Sequence, residues 1–192
     1  MIKSVMRIVI ISRNLFCALL LTSAGCSVPL YKIASVPQNT PIEAAQTATA
    51  TELEISAAAL LDDDKAFERF EANLPLAGIA VIDVRLVNRA DKQLKPKFEL
   101  RDASGKKFAQ LAPKKKLGRV MKFEGVRVHN KEGYRQTLEQ LENISLPKNF
   151  VLNAKAEKRG VLFFNTKQDV TQIKGLSLTV SGISQPIKIS LN

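Results

Sequence analysis

The chain has 192 residues, with 29 Lys/Arg against 18 Asp/Glu and a formal net charge of +11. Two cysteines, one histidine and no tryptophan exclude a disulfide-stapled scaffold and a zinc centre of the usual Cys/His kind. Hydrophobic residues make up 45% of the chain, enough for a packed core without either device.

At the N-terminus, Lys3, Arg7 and Arg13 flank or precede an uncharged apolar run at 15–21, and the small residues Ala24 and Gly25 lead into Cys26. A basic start, a short greasy core and small residues at a cleavage point make a secretory signal. With a cysteine directly after Ala24-Gly25, the segment resembles the signal of bacterial lipoproteins. That resemblance implies removal of residues 1–25 and lipid on Cys26. The non-acidic Ser27 that follows implies sorting to the outer membrane, facing the periplasm, in a host with two membranes. Two other fates are open to the same segment. One is plain secretory cleavage without lipid. The other is an uncleaved span over 8–30, opposed by Arg13, since an Arg deep in a span costs about 2.5–3.5 kcal/mol. Cys17 would leave with the signal, so the lipidated chain has no free thiol and a net charge of +8.

Residues 26–51 read as the lipidated Cys and a flexible tether. They hold Pro29, Pro37 and Pro41, then an Ala/Thr run, with only Lys32 and Glu43 charged. A flexible chain of that size spans on the order of 25–30 Å, which would lift a domain clear of the headgroups. Packing of Leu30 and Tyr31 on the domain edge is the alternative.

Residues 52–192 read as one domain, patterned mainly with period two and therefore mainly β. Leu53, Ile55, Ala57 and Ala59 alternate with polar residues. Ala80, Ile82, Val84 and Leu86 line one strand face; Ile79, Val81 and Val87 make that strand apolar on both sides, which places it centrally. Leu94, Phe98 and Leu100 share a face, and the turn at 102–105 predicts a hairpin with 107–111. Further strands are expected at 160–164, around Leu176–Val180, and at Ile187–Leu191. Helical insertions are expected at 62–72, capped by Asp62 or Asp63 with Phe67 and Phe70 on one face, and at 131–143, with Tyr134, Leu138 and Leu141 on one face. Leu117, Val120 and Met121 fit a short helix within 114–123, against which Gly118 argues.

About seven short strands suggest an antiparallel β-sandwich. Asn73-Leu74-Pro75-Leu76-Ala77-Gly78-Ile79, Phe98-Glu99-Leu100-Arg101-Asp102-Ala103-Ser104-Gly105 and Arg159-Gly160-Val161-Leu162-Phe163-Phe164 are similar to uncharacterised bacterial lipoproteins with an immunoglobulin-like sandwich. The resemblance implies a mainly β, immunoglobulin-like fold and no activity.

Charge is unevenly placed. Between Arg85 and Lys131 stand fifteen Lys/Arg and four acids, whereas 52–72 is acidic. Solvated strand and loop faces account for such runs in the ordinary case. The sharper expectation is a basic surface for an anionic or protein partner, with Lys106, Lys107, Lys114, Lys115, Lys116, Arg119 and Lys122 as candidates. Outside the cytoplasm the matching chemistry is lipid phosphates, an anionic envelope polymer such as that of a cell wall, or an acidic protein face. Nucleic acid is not expected, because export removes the chain from it and aromatic residues for base stacking are sparse near the lysines.

His129 has no partner His or Cys for a metal. Asp62-Asp63-Asp64 lacks the alternating ligands of a calcium loop and suits a helix start instead. No nucleophile elbow, phosphate loop or dinucleotide fingerprint occurs. No catalytic residue, metal or cofactor is therefore expected. The sequence points to a membrane-anchored, non-catalytic interaction module. An envelope hydrolase with a cryptic Ser or Asp site, including a Ser–Lys dyad of distant residues, and a purely structural envelope component are the alternatives.

Overall fold

The computed structural model describes residues 28–35, 38 and 40–192. The expected signal and Cys26 lie outside the described residues. Within them, eight strands run β1 (Gln46–Thr49), β2 (Leu53–Leu60), β3 (Ile79–Asn88), β4 (Lys97–Arg101), β5 (Lys107–Gln110), β6 (Glu157–Asn165), β7 (Ser177–Ser181) and β8 (Ile187–Ser190). The helices are α1 (Asp63–Phe70), α2 (Pro113–Glu124) and α3 (Lys131–Ile144).

All strand pairs are antiparallel, in the order β1-β2-β3-β6-β5-β4-β7-β8. The expected mainly β class with helical insertions holds, but the strands make one nearly closed, barrel-like sheet rather than two separate layers. The reason is β5. It pairs with β4 at Leu100↔Phe108 and with β6 at Gln110↔Phe164, joining what would otherwise be two sheets. The outer ends also meet: Glu52, before β2, accepts the Ser184 N–H, before β8, at 2.9 Å.

Two cores result from the period-two pattern. Facing inward, Ile55, Ile82, Leu86, Leu100, Leu162, Phe164 and Leu178 fill the barrel. On the outer side of the central pair, Ile79 and Val81 of β3 and Val161 and Phe163 of β6 meet Phe70, Leu117, Val120, Met121 and Leu141 of the three helices. The register Val81↔Phe163 beside Ile82↔Leu162 shows the alternation directly. Fully apolar strands belong between two such layers. Farther along β3 the outward positions turn polar: Asp83 accepts from Arg69 of α1 at 2.6 Å, and Arg85 forms a two-pronged bond with Glu157.

Local chemistry sets the helix ends. Asp62 caps α1 by accepting from the Lys65 N–H, and Asp63 and Asp64 occupy its first turn, favourable near the positive end of the helix dipole. The expected Phe67–Phe70 face is only half realised: Phe70 is buried, while Phe67 is 58% exposed. Asn130 caps α3 by accepting from the Gly133 N–H. Helix α2 opens on Pro113 and stops at Gly125, whose φ is 69°. Gly118 sits on its open side, facing no neighbour, so it costs propensity without disturbing packing.

The tether expectation fails over much of 26–51. Tyr31 is buried against the helices. Its N–H donates to Thr137 Oγ1 at 2.9 Å, and its carbonyl accepts from the same hydroxyl at 3.0 Å. The Leu30 N–H donates to Gly133 O, Ile33 to Gln140 Oε1, Lys32 to Glu71 Oε2 and Ala34 to Arg69 O. A Cβ on Gly133 would lie 2.5 Å from Val28 O, so only glycine admits the segment this close. Farther on, Gln46–Thr49 is not tether but β1, paired with β2 from Gln46↔Ala57 to Thr49↔Glu54.

Candidate functional site

The helical layer carries the unusual chemistry. Helices α2 and α3 form an antiparallel pair joined by 125–130. The first turn of α2 meets the C-terminus of α3, and the last turn of α2 is tied to the middle of α3 through Tyr31, whose hydroxyl donates to Glu124 at 2.5 Å while its backbone bonds Thr137.

The seven candidate cations do not make one surface. Lys106 and Lys107 sit at the β4–β5 turn, with the length of β5 between them and α2. Lys107 pairs with Glu99 at 2.7 Å, and Lys106 stands over the Phe108 ring. Arg119 turns inward and donates to Ala77 O at 2.6 Å. Lys114, Lys115 and Lys122 are exposed on α2 and enter no ion pair among the described residues.

Lys116 is a correction: it belongs to no surface, being 1% exposed. It lies on the same helical stripe as Val120, one turn on, and its Nζ sits 3.2 Å from the Phe163 ring centroid. That Nζ donates to Ser145 Oγ at 2.7 Å, and Ser145 Oγ donates to Leu141 O. Burial lowers the lysine's pKa to about 6, against a smaller opposing pull from Glu142. The ring face and the negative end of α3 favour an ammonium, but desolvation outweighs them.

This is a Ser–Lys pair of the kind the sequence left open. Its members are 29 residues apart, and the clue available beforehand was Lys116's place on the apolar stripe of α2. Ser145 also lines a groove of about 430 Å³ with Gln110, Pro113, Glu142, Pro147 and Lys148. Nucleophilic catalysis needs the serine proton directed at the base and free donors for the oxyanion. Here the serine proton goes to Leu141 O, and the neighbouring Ser145 and Leu146 N–H groups are spent on Glu142 O and Val161 O. What the pair does as arranged is hold the C-terminal turn of α3 and fasten it to α2.

His129 is exposed in the α2–α3 connection. Among the described residues no group of three His, Cys, Asp or Glu is placed to hold a metal ion, and no helix is long and apolar enough to cross a membrane. On the opposite side of the molecule, Glu99, Arg101, Asp102, Ser177, Thr179 and Lys188 line a shallow polar basin on β4, β7 and β8. There Lys107 and then Arg101 hold the Glu99 carboxyl below its usual range.

No family model and no curated protein matches the chain. Among solved structures it is similar to the yjhA protein from Bacillus subtilis, with 11% identity, 77% of this chain and 96% of that chain covered, and a TM-score of 0.40. It is also similar to a functionally unknown protein from Listeria monocytogenes EGD-e, with 10% identity, 76% and 79% coverage, and a TM-score of 0.37. At these scores neither neighbour informs the fold or the site.

Proposed function

We propose that the chain is a lipid-anchored domain of the cell envelope that acts by binding rather than by catalysis. Cys26 is its acyl acceptor, and in a host with two membranes the protein faces the periplasm from the outer membrane. The binding face is the start of α2, where Lys114 and Lys115 present two fixed positive charges toward an acidic protein face or an anionic envelope polymer.

The observation that carries this reading is the exposure of those two lysines without any acid to neutralise them among the described residues, while Lys107, Lys116 and Arg119 are all engaged within the domain. Unneutralised charge on a rigid helix attracts and orients an oppositely charged partner more than it stabilises a fold. Crosslinking in native membranes tests it. Changing both Lys114→Glu and Lys115→Glu removes the crosslinked partners, and an unchanged set refutes the basic face.

The 2.7 Å approach of Lys116 to Ser145 favours a second reading, an envelope hydrolase. The serine proton given to Leu141 O and the engaged Ser145 and Leu146 N–H groups weigh against it. Reaction of the wild type, but not of Ser145→Ala, with a serine-directed fluorophosphonate would restore it.

A further inference from the structure

The end of the helical pair opposite the Lys116–Ser145 lock combines exposed apolar groups with unpaired cations. Phe123, in the last turn of α2, is 52% exposed; Val128, just before α3, is 44% exposed; and Val28 is 71% exposed. Val28 lies at this same end, because its carbonyl abuts Gly133 in the first turn of α3. Lys122, Arg127 and Lys131 are exposed around these residues and form no ion pair among the described residues. The acids nearby are engaged: Glu124 accepts from Tyr31, and Glu132 is bound by Arg135, which lowers its pKa to about 2. Large apolar side chains ringed by basic ones suit the boundary between lipid headgroups and acyl chains.

Chain length supplies the second argument. Only Ser27 separates Cys26 from Val28, and two residues span at most about 7 Å. The backbone is then fastened to α3 and α1 from Leu30 to Ala34. Acyl chains on Cys26 would therefore enter the bilayer beside this end, with no long spacer between.

We propose that the Phe123–Val128 end of the α2–α3 pair, rimmed by Lys122, Arg127 and Lys131, seats on the surface of an anionic bilayer and fixes the orientation of the domain against it. The proposal rests on the lipid-anchor reading of Cys26. In the seated orientation, the α2 start with Lys114 and Lys115 is the end turned away from the membrane, free for a partner.

The chain has no tryptophan, so single reporters are available. Full-length Phe123→Trp and Val151→Trp are produced in a lipidating bacterial host and reconstituted into vesicles of phosphatidylcholine with phosphatidylglycerol. Val151 lies past the other end of α3 and is already 40% exposed. The acyl mass on Cys26 and vesicle flotation are read first, then quenching by brominated acyl chains. The expected result is acylated, floating protein in which Trp at 123 is quenched at least about twofold more than Trp at 151, as for a ring roughly 5–10 Å into the headgroup–acyl boundary. Adding Lys122→Glu, Arg127→Glu and Lys131→Glu should abolish the difference. Acylated, floating protein with equal quenching at both positions overturns the seating and leaves the anchor intact. Absence of an acyl mass overturns the anchor and the seating with it.

Discussion

The two outer faces of the sheet differ sharply. Over β3 and β6 the outward residues Ile79, Val81, Val161 and Phe163 lie under three helices. Over β4, β7 and β8 the outward residues are Lys97, Glu99, Arg101, Thr179 and Lys188, and no helix among the described residues covers them. Both faces back onto the same inner core, so a barrel wall does not require a helical layer. That layer is built where the outward positions become apolar, and it brings with it the docked Tyr31, the buried Lys116 and the basic ends of α2.

The largest effect separating the faces is expected at the covered one. Phe163→Ala removes the ring that meets Phe70 edge-on at 5.9 Å and should cost about 3–5 kcal/mol in urea unfolding. An equal loss for the outward-facing Thr179→Ala would erase the distinction. Next comes Lys116. It is neutral in the fold above about pH 6 but charged in the unfolded chain up to the ordinary lysine value of 10.5. The unfolded state thus binds more protons between those values, and stability should rise with pH by at most about 1.4 kcal/mol per unit. Lys116→Met removes the cost of keeping this amine deprotonated in the fold, so it should stabilise the protein at pH 7 and flatten that slope. A steep slope retained in the variant would assign it to another group.

Tyr31→Phe should cost about 1 kcal/mol for the lost bond to Glu124. Burial and then the Glu124 bond raise the Tyr31 pKa above its ordinary 10.0. The folded chain therefore keeps a proton that the unfolded chain loses, and stability falls as pH rises past 10. The variant should lack that component of the alkaline loss in pH-dependent unfolding. Smallest is Thr179→Ala on the bare face, expected within about 0.5 kcal/mol of wild type.

Much of this contrast was legible in the residues. The doubly apolar start of β3 announced a strand between two layers, and Asp62 marked a helix start through plain capping chemistry, whereas the Pro113 and Asn130 starts came only with the structure. Strand β1 was not legible, because Gln46–Thr49 is an exposed edge strand with no apolar alternation and exists only through pairing with β2. The nearly closed topology turned on the short β5: its hairpin with β4 was legible in the turn at 102–105, but its pairing with β6 is set by tertiary contact. Tyr31 looked like part of a Pro-bounded tether, since the groups that hold it, Glu124 and Thr137, lie more than 90 residues away. Lys116 was hidden within three consecutive lysines, although its helical phase with Val120 separated it from Lys114 and Lys115.

The anchor at Cys26 is the claim on which the proposed location, the orientation and the use of the exposed cations all depend. Metabolic labelling with a radiolabelled fatty acid tests it most directly, comparing wild type with Cys26→Ser. The account predicts label on the wild-type protein and none on the variant; equal labelling of the two would contradict it.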